Sequence, residues 1–159
     1  MDFNLKRCSE LIKKSNALLA EGKFLWDHNK LENEELVKYL MLLSDDIFWH
    51  SRKQYLQTIE LFLSKNITVD EFLKQFHQLH GLNNQTFEIR ERNLENEKNL
   101  QLEPKSSGFT SIISSLATTI ELFDPDIEED DEELIGYGIS EELLRLSIKE
   151  NFLPKIREY

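Results

Sequence analysis

Apolar residues recur along this chain at helical spacing, and nowhere do they alternate in the two-residue rhythm of a strand. Leu5, Cys8, Leu11, Ile12, Leu18 and Leu19 share one side of a helical wheel while Lys6, Lys13 and Lys14 lie away from it, which predicts a first helix ending near Gly22. Leu36, Val37, Tyr39, Leu40 and Leu43 predict a second helix over 34–43. Ser44, followed by Asp45 and Asp46, has the composition of a new N-cap, so a third helix is expected to run from there to Lys65. Its inward face would be Phe48, Trp49, Leu56, Ile59, Phe62 and Leu63.

The sharpest boundary follows. Thr68 with Glu71 three residues on forms a capping box ahead of the stripe Val69, Phe72, Leu73, Phe76 and His80, and Gly81 is the expected C-cap. Residues 86–101 are polar with few core candidates and read as a solvated helix or an arm; 104–108 (PKSSG) reads as a linker. Beyond it Phe109, Ile112, Ile113, Leu116, Ile120 and Phe123 trace an apolar seam that Asp124 and Pro125 bring to an end. Ser140 then caps a last helix, with Glu141 and Glu142 in its positive first turn and an i,i+4 pair between Glu141 and Arg145. The pattern predicts an all-α fold, an antiparallel bundle of five or six helices in a single domain.

Composition agrees with this reading. Five glycines and three prolines in 159 residues leave little to interrupt helices, and such a chain can bury a core without disulfides. The lone Cys8 points to a reducing compartment, the cytoplasm or the interior of an organelle. Richness in Asn, Lys, Ile and Leu would suit an AT-rich genome such as an organelle's, which adds the plastid stroma to the candidates. Lys6, Arg7, Lys13, Lys14 and Lys23 are threaded through the first apolar stripe, so no secretory signal is expected, and broken apolar runs predict no membrane insertion.

Charge changes the picture more. Residues 1–105 hold 17 acids against 15 bases, whereas 106–159 hold 13 against 4, so nearly all of the net −11 lies in the last third. Such a field repels nucleic acid and anionic membrane and attracts basic surfaces, so no direct nucleic-acid binding is expected. Eight acids fall within ten residues: Asp124, Asp126, Glu128, Glu129, Asp130, Asp131, Glu132 and Glu133. As a calcium loop the run fails twice, because Glu129 stands where the sharp turn needs glycine and Ile135 where a bidentate glutamate must close the shell. His77 and His80 lie one helical turn apart without further ligands, so no metal and no cofactor are expected. No phosphate loop, serine elbow or paired-cysteine motif occurs, and the chain reads as a binding protein rather than an enzyme. The eight acids are its candidate partner-binding residues, facing a basic protein surface.

The segment YLQTIELFLSKNITVDEFLKQF (55–76), followed by LFDPDIEEDDEEL and ISEELLRLSIKENF, resembles the bacterial colicin-D-type immunity family. The likeness spans roughly residues 46–159, leaving 1–45 as a helical N-terminal extension. It implies a small acidic helical fold and, as partner, a tRNA-cleaving nuclease toxin whose basic active-site face the immunity protein covers. It also implies that Asp124, Asp126, Glu128, Glu129, Asp130 and Asp131 carry those contacts. The alternative is a non-catalytic assembly subunit of a larger complex, with an interface on the 109–123 seam or on the N-terminal helices.

Overall fold

The computed structural model of the chain describes residues 3–97, 100–127 and 138–159. They form an all-α antiparallel helical bundle: α1 (Leu5–Ala20), α2 (Leu25–His28), α3 (Lys30–His50), α4 (Arg52–Leu63), α5 (Val69–Asn93), α6 (Ser106–Ile120), α7 (Glu141–Ser147) and α8 (Leu153–Arg157). A 3₁₀ turn, Leu94–Asn96, closes α5, and a π-helical stretch, Ile148–Phe152, joins α7 to α8. The last three pieces make one rod. Counting it once and setting aside the single turn of α2, the described residues contain six helices, in line with the pattern.

Local signals placed several ends as expected. Helix α1 gives way to a turn at Gly22, which takes the left-handed conformation (φ 71°); its start is capped by Asn4, which accepts from the Arg7 amide and was not anticipated. At α5 the capping box is complete: the Glu71 amide donates to Thr68 Oγ1 at 3.2 Å, and the Thr68 amide donates to Glu71 Oε2 at 2.9 Å. Ser140 Oγ accepts from the Leu143 amide, and Glu141 pairs with Arg145. The end of α4 is a Schellman motif, with the Lys65 amide donating to the Phe62 carbonyl and the Asn66 amide to that of Leu61. Its left-handed position, usually glycine, is Lys65 (φ 60°).

Several sequence readings are corrected. Ser44–Asp46 do not start a helix; α3 runs through them, and the break comes at Ser51. Gly81 does not end α5, which continues to Asn93. Of the two expectations for 86–101, a solvated helix or an arm, the helix holds through Asn93, but the segment is less solvated than expected: Leu94 is buried, and Arg90 is drawn inward to Asp46 and Glu97. Likewise the supposed linker 104–108 already contains the first turn of α6, with Ser106 buried.

Two apolar clusters hold the bundle. The larger collects Phe48, Tyr55, Ile59, Phe62, Phe72 and Phe76 from α3–α5 with Phe109, Ile113, Leu116 and Ile120 of α6, plus Leu144, Ile148 and Ile156 from the terminal rod. Phe62 and Phe72 stack with ring centroids 4.2 Å apart. Four residues of the 109–123 seam, Phe109, Ile113, Leu116 and Ile120, are spent in the core, each no more than 3% exposed, and Ile112 and Phe123 are partly buried against it. The smaller cluster packs Cys8 and Leu11 of α1, Leu25 of α2, and Leu36, Tyr39 and Leu43 of α3 around Leu94. Residues of 87–102 thus pack with the N-terminal helices: Phe87, Leu100 and Leu102 lie against this second cluster.

A buried polar network crosses between them. Asp46, 1% exposed, accepts from Arg90 Nη1 at 2.9 Å and from the Glu103 amide at 3.1 Å. Arg90 also donates to Glu97 through Nε (2.9 Å) and Nη2 (3.3 Å). Beside it Ser51 Oγ donates to Asn83 Oδ1 (2.7 Å) and Asn83 Nδ2 to Tyr55 Oη (3.2 Å), pinning the α3–α4 corner to α5. The carboxylate of Asp46 replaces nothing at a helix start; it fastens α3 to α5 and to the strand-free stretch before α6.

Candidate functional site

The acidic run starts from a built platform to which the chain has returned by Ile139. The Ile139 amide donates to the Leu122 carbonyl at 2.8 Å and the Asp124 amide to the Ile139 carbonyl at 3.1 Å, so Phe123 and Ile139 form a short parallel bridge. Both side chains pack on the larger core. Gly138 makes this approach feasible: a Cβ there would lie 2.8 Å from Ile127 Cδ1, 3.0 Å from Asp124 Cβ and 3.1 Å from the Leu122 carbonyl. One residue later Ser140 is buried and caps α7.

Sequence sets the entry turn. Asp124-Pro125-Asp126-Ile127 forms a β-turn in which the Ile127 amide donates to the Asp124 carbonyl (3.3 Å), with proline at the second position, where its fixed φ is favourable. Asp124 Oδ1 accepts from the Asp126 amide at 2.9 Å, an Asx turn laid over the same corner. Asp124 is half-buried and its carboxylate is engaged in shaping the chain, whereas Asp126 is exposed. The candidates Glu128, Glu129, Asp130, Asp131, Glu132 and Glu133 lie outside the described residues, as does Ile135.

The other sequence candidates are dispersed. His80 lies mid-helix, not at a helix end, and meets Phe48 edge-on with centroids 5.1 Å apart; burial, then the neighbouring His77, lowers its pKa. Cys8 is fully buried, and burial followed by the nearby Glu91 pushes its thiol up to about 11. Ser51 and His50 share a 460 Å³ cavity with Arg90 and Asn83, but the Ser51 hydroxyl donates to Asn83 while His50 Nδ1 lies 2.7 Å from the Asp46 carbonyl. Those bonds turn the two side chains to structural partners instead of to each other. Among the described residues no three His, Cys, Asp or Glu side chains converge on a metal-sized site, and no helix is long and apolar enough to cross a membrane.

Sequence reading missed a second feature, a groove of 720 Å³ between the end of α4 and the α7–α8 rod. Its residues are far apart in the chain, so only the fold brings them together. In the letters only the spacing of Leu143 and Leu146, three residues apart, hints at it; that both are exposed on α7 is seen in the structure. No family model, no curated protein and no solved structure matches this chain.

Proposed function

We propose that this protein binds a basic protein partner through the acidic run Asp124–Glu133, in the manner of an immunity protein covering the cationic face of a nuclease. The observation that carries the reading is the concentration of eight acids in ten residues on a chain segment whose two ends are clamped side by side at Leu122–Asp124 and Ile139. Like charges so close repel one another, and a cationic surface relieves that repulsion while long-range attraction steers its approach. The clamp limits the ordering that binding must still impose at the base of the segment. Cytoplasm or an organelle interior is the setting this proposal assumes, and the reaction chemistry belongs to the partner.

The test is capture from a native lysate with wild-type protein beside a variant carrying E128Q, E129Q, D130N and D131N. A basic protein retained by the first and depleted on the second supports the reading. A partner retained equally by both points to the second reading, an assembly subunit. That alternative rests on the N-terminal helices, where Trp26, Leu31 and Met41 are 60%, 77% and 61% exposed. An apolar interface of that kind would also tolerate salt.

A further inference from the structure

The last third of this acidic chain has four bases, and three of them, Arg145, Lys149 and Arg157, line the 720 Å³ groove together with Lys65. The floor is apolar: Leu63 from α4, Leu143 and Leu146 from α7, and Leu153 from α8. Only Glu60 and Glu142 oppose the four cations in the lining, and Glu60 is held by Arg157 at 2.8 Å. Arg145 is committed to the fold, since it pairs with Glu141, donates to the Phe62 carbonyl and lies 3.8 Å over the Phe62 ring. Lys65 and Lys149 are exposed, and neither has a carboxylate within ion-pair distance among the described residues.

Two local features keep those lysines there. Pro154 at the start of α8 has no N–H to give and its ring crowds the preceding turn, so the rod widens into the π-helical stretch that carries Lys149. Lys65 occupies the left-handed position of the Schellman motif, where glycine would avoid the crowding that a Cβ brings. Lysine at that position supplies something glycine lacks, a cation in the lining of the groove.

We infer that this groove docks an amphipathic helical segment of a partner protein, one that lays apolar side chains on Leu63, Leu143, Leu146 and Leu153 and sets Asp or Glu against Lys65 and Lys149. Charge complementarity selects the acidic flank. The shape selects a helix over a small amphiphile: Leu143 and Leu146 are 51% and 48% exposed, so the floor is a surface strip, whereas small ligands are held in sites that enclose most of their surface. A helix with apolar anchors at i, i+3 or i+4 and i+7 covers such a strip. The inference is independent of the acidic run and assigns this face the opposite preference.

Selection from a displayed library of random 16-residue amphipathic peptides against the full chain tests it. The overall field of a protein with net charge −11 favours basic peptides, so an acidic, leucine-rich consensus can come only from a local cationic site. The expected consensus is acidic and apolar. Binding of the selected peptide should weaken on the order of tenfold in Lys149→Glu and severalfold in Lys65→Gly. Lys65→Gly should at the same time melt about 1–3 °C higher, because it relieves the left-handed backbone, so lost binding cannot be blamed on lost fold. No enrichment, a basic consensus, or binding indifferent to both substitutions would overturn the inference. So would decanoate occupying the groove, seen by amide shifts at Leu143 and Leu146, with no peptide enriched.

Discussion

Replacing Arg90 with methionine removes the guanidinium that neutralises Asp46 while filling much of the same volume. The Asp46 carboxylate would keep the Glu103 backbone amide as its hydrogen-bond donor, with His50 Nδ1 3.6 Å away and the side chain only 2% exposed, but would lose its arginine. Breaking a buried pair from one side costs about 3–5 kcal/mol, because the orphaned charge stays out of water. For a chain of this size that is a fall in Tm of roughly 6–20 °C. The companion variant Asp46→Asn can keep one oxygen for the Glu103 amide, but its Nδ2 then faces Arg90 Nη1 donor to donor; that charge-assisted bond is lost while Arg90 keeps Glu97, at a cost of about 1.5–3 kcal/mol. Urea unfolding of both single variants and the double variant, followed by circular dichroism, gives the coupling directly. The double variant should be more stable than the sum of the single losses predicts, because each residue removes the other's penalty. Losses below about 1 kcal/mol in Arg90→Met, or strict additivity, would refute the claim that this network fastens α3 to α5.

Thr68→Ala removes one reciprocal bond of the capping box and should destabilise by about 0.5–2 kcal/mol, read from the urea midpoint; an unchanged midpoint would contradict the box. Gly138→Ala forces a Cβ against Ile127, Asp124 and the Leu122 carbonyl, so it should cost about 1–3 kcal/mol and speed hydrogen exchange at the Ile139 amide. Stability should also fall on the alkaline side. Burial holds the Cys8 thiol up at about 11 and raises Tyr55 and Tyr39 above the usual phenol range, so the unfolded chain releases these protons first. Stability is then full below the ordinary thiol range, near pH 8.5, and declines from there through pH 11; Cys8→Ala should flatten the first part of that decline in thermal melts.

What could be read from sequence was whatever the chain settles within one turn. Thr68 and Glu71, Ser140 and Leu143, and Glu141 and Arg145 each meet three or four residues apart, and their pattern shows in the letters alone. Ser44–Asp46 carried an equally good local signal that failed, because Asp46 is satisfied by Arg90 from α5 and by the Glu103 amide. A helix needs no new start where a distant cation already claims the carboxylate. Arg90 read as part of a solvated helix or arm, because its partners Asp46 and Glu97 are not visible in the local pattern. Gly81 is tolerated inside α5 because its backbone stays helical and the continuation buries Asn83 and places Phe87 and Arg90. For the candidate site, sequence located the acids and the Asp124-Pro125 stop, but the clamp between Leu122–Asp124 and Ile139 and the groove cations required the fold.

The central claim, that the acidic run captures a basic partner, is tested most directly by association kinetics. Captured partner is immobilised, and wild-type protein and the E128Q/E129Q/D130N/D131N variant are passed over it at low and at high salt. Charges at the rim of an interface act mainly on the encounter, so wild type should associate faster, with a steep fall as salt screens the field. The variant should associate more slowly with a flatter salt dependence and unchanged melting. Equal rates and equal salt slopes for the two proteins would contradict the account.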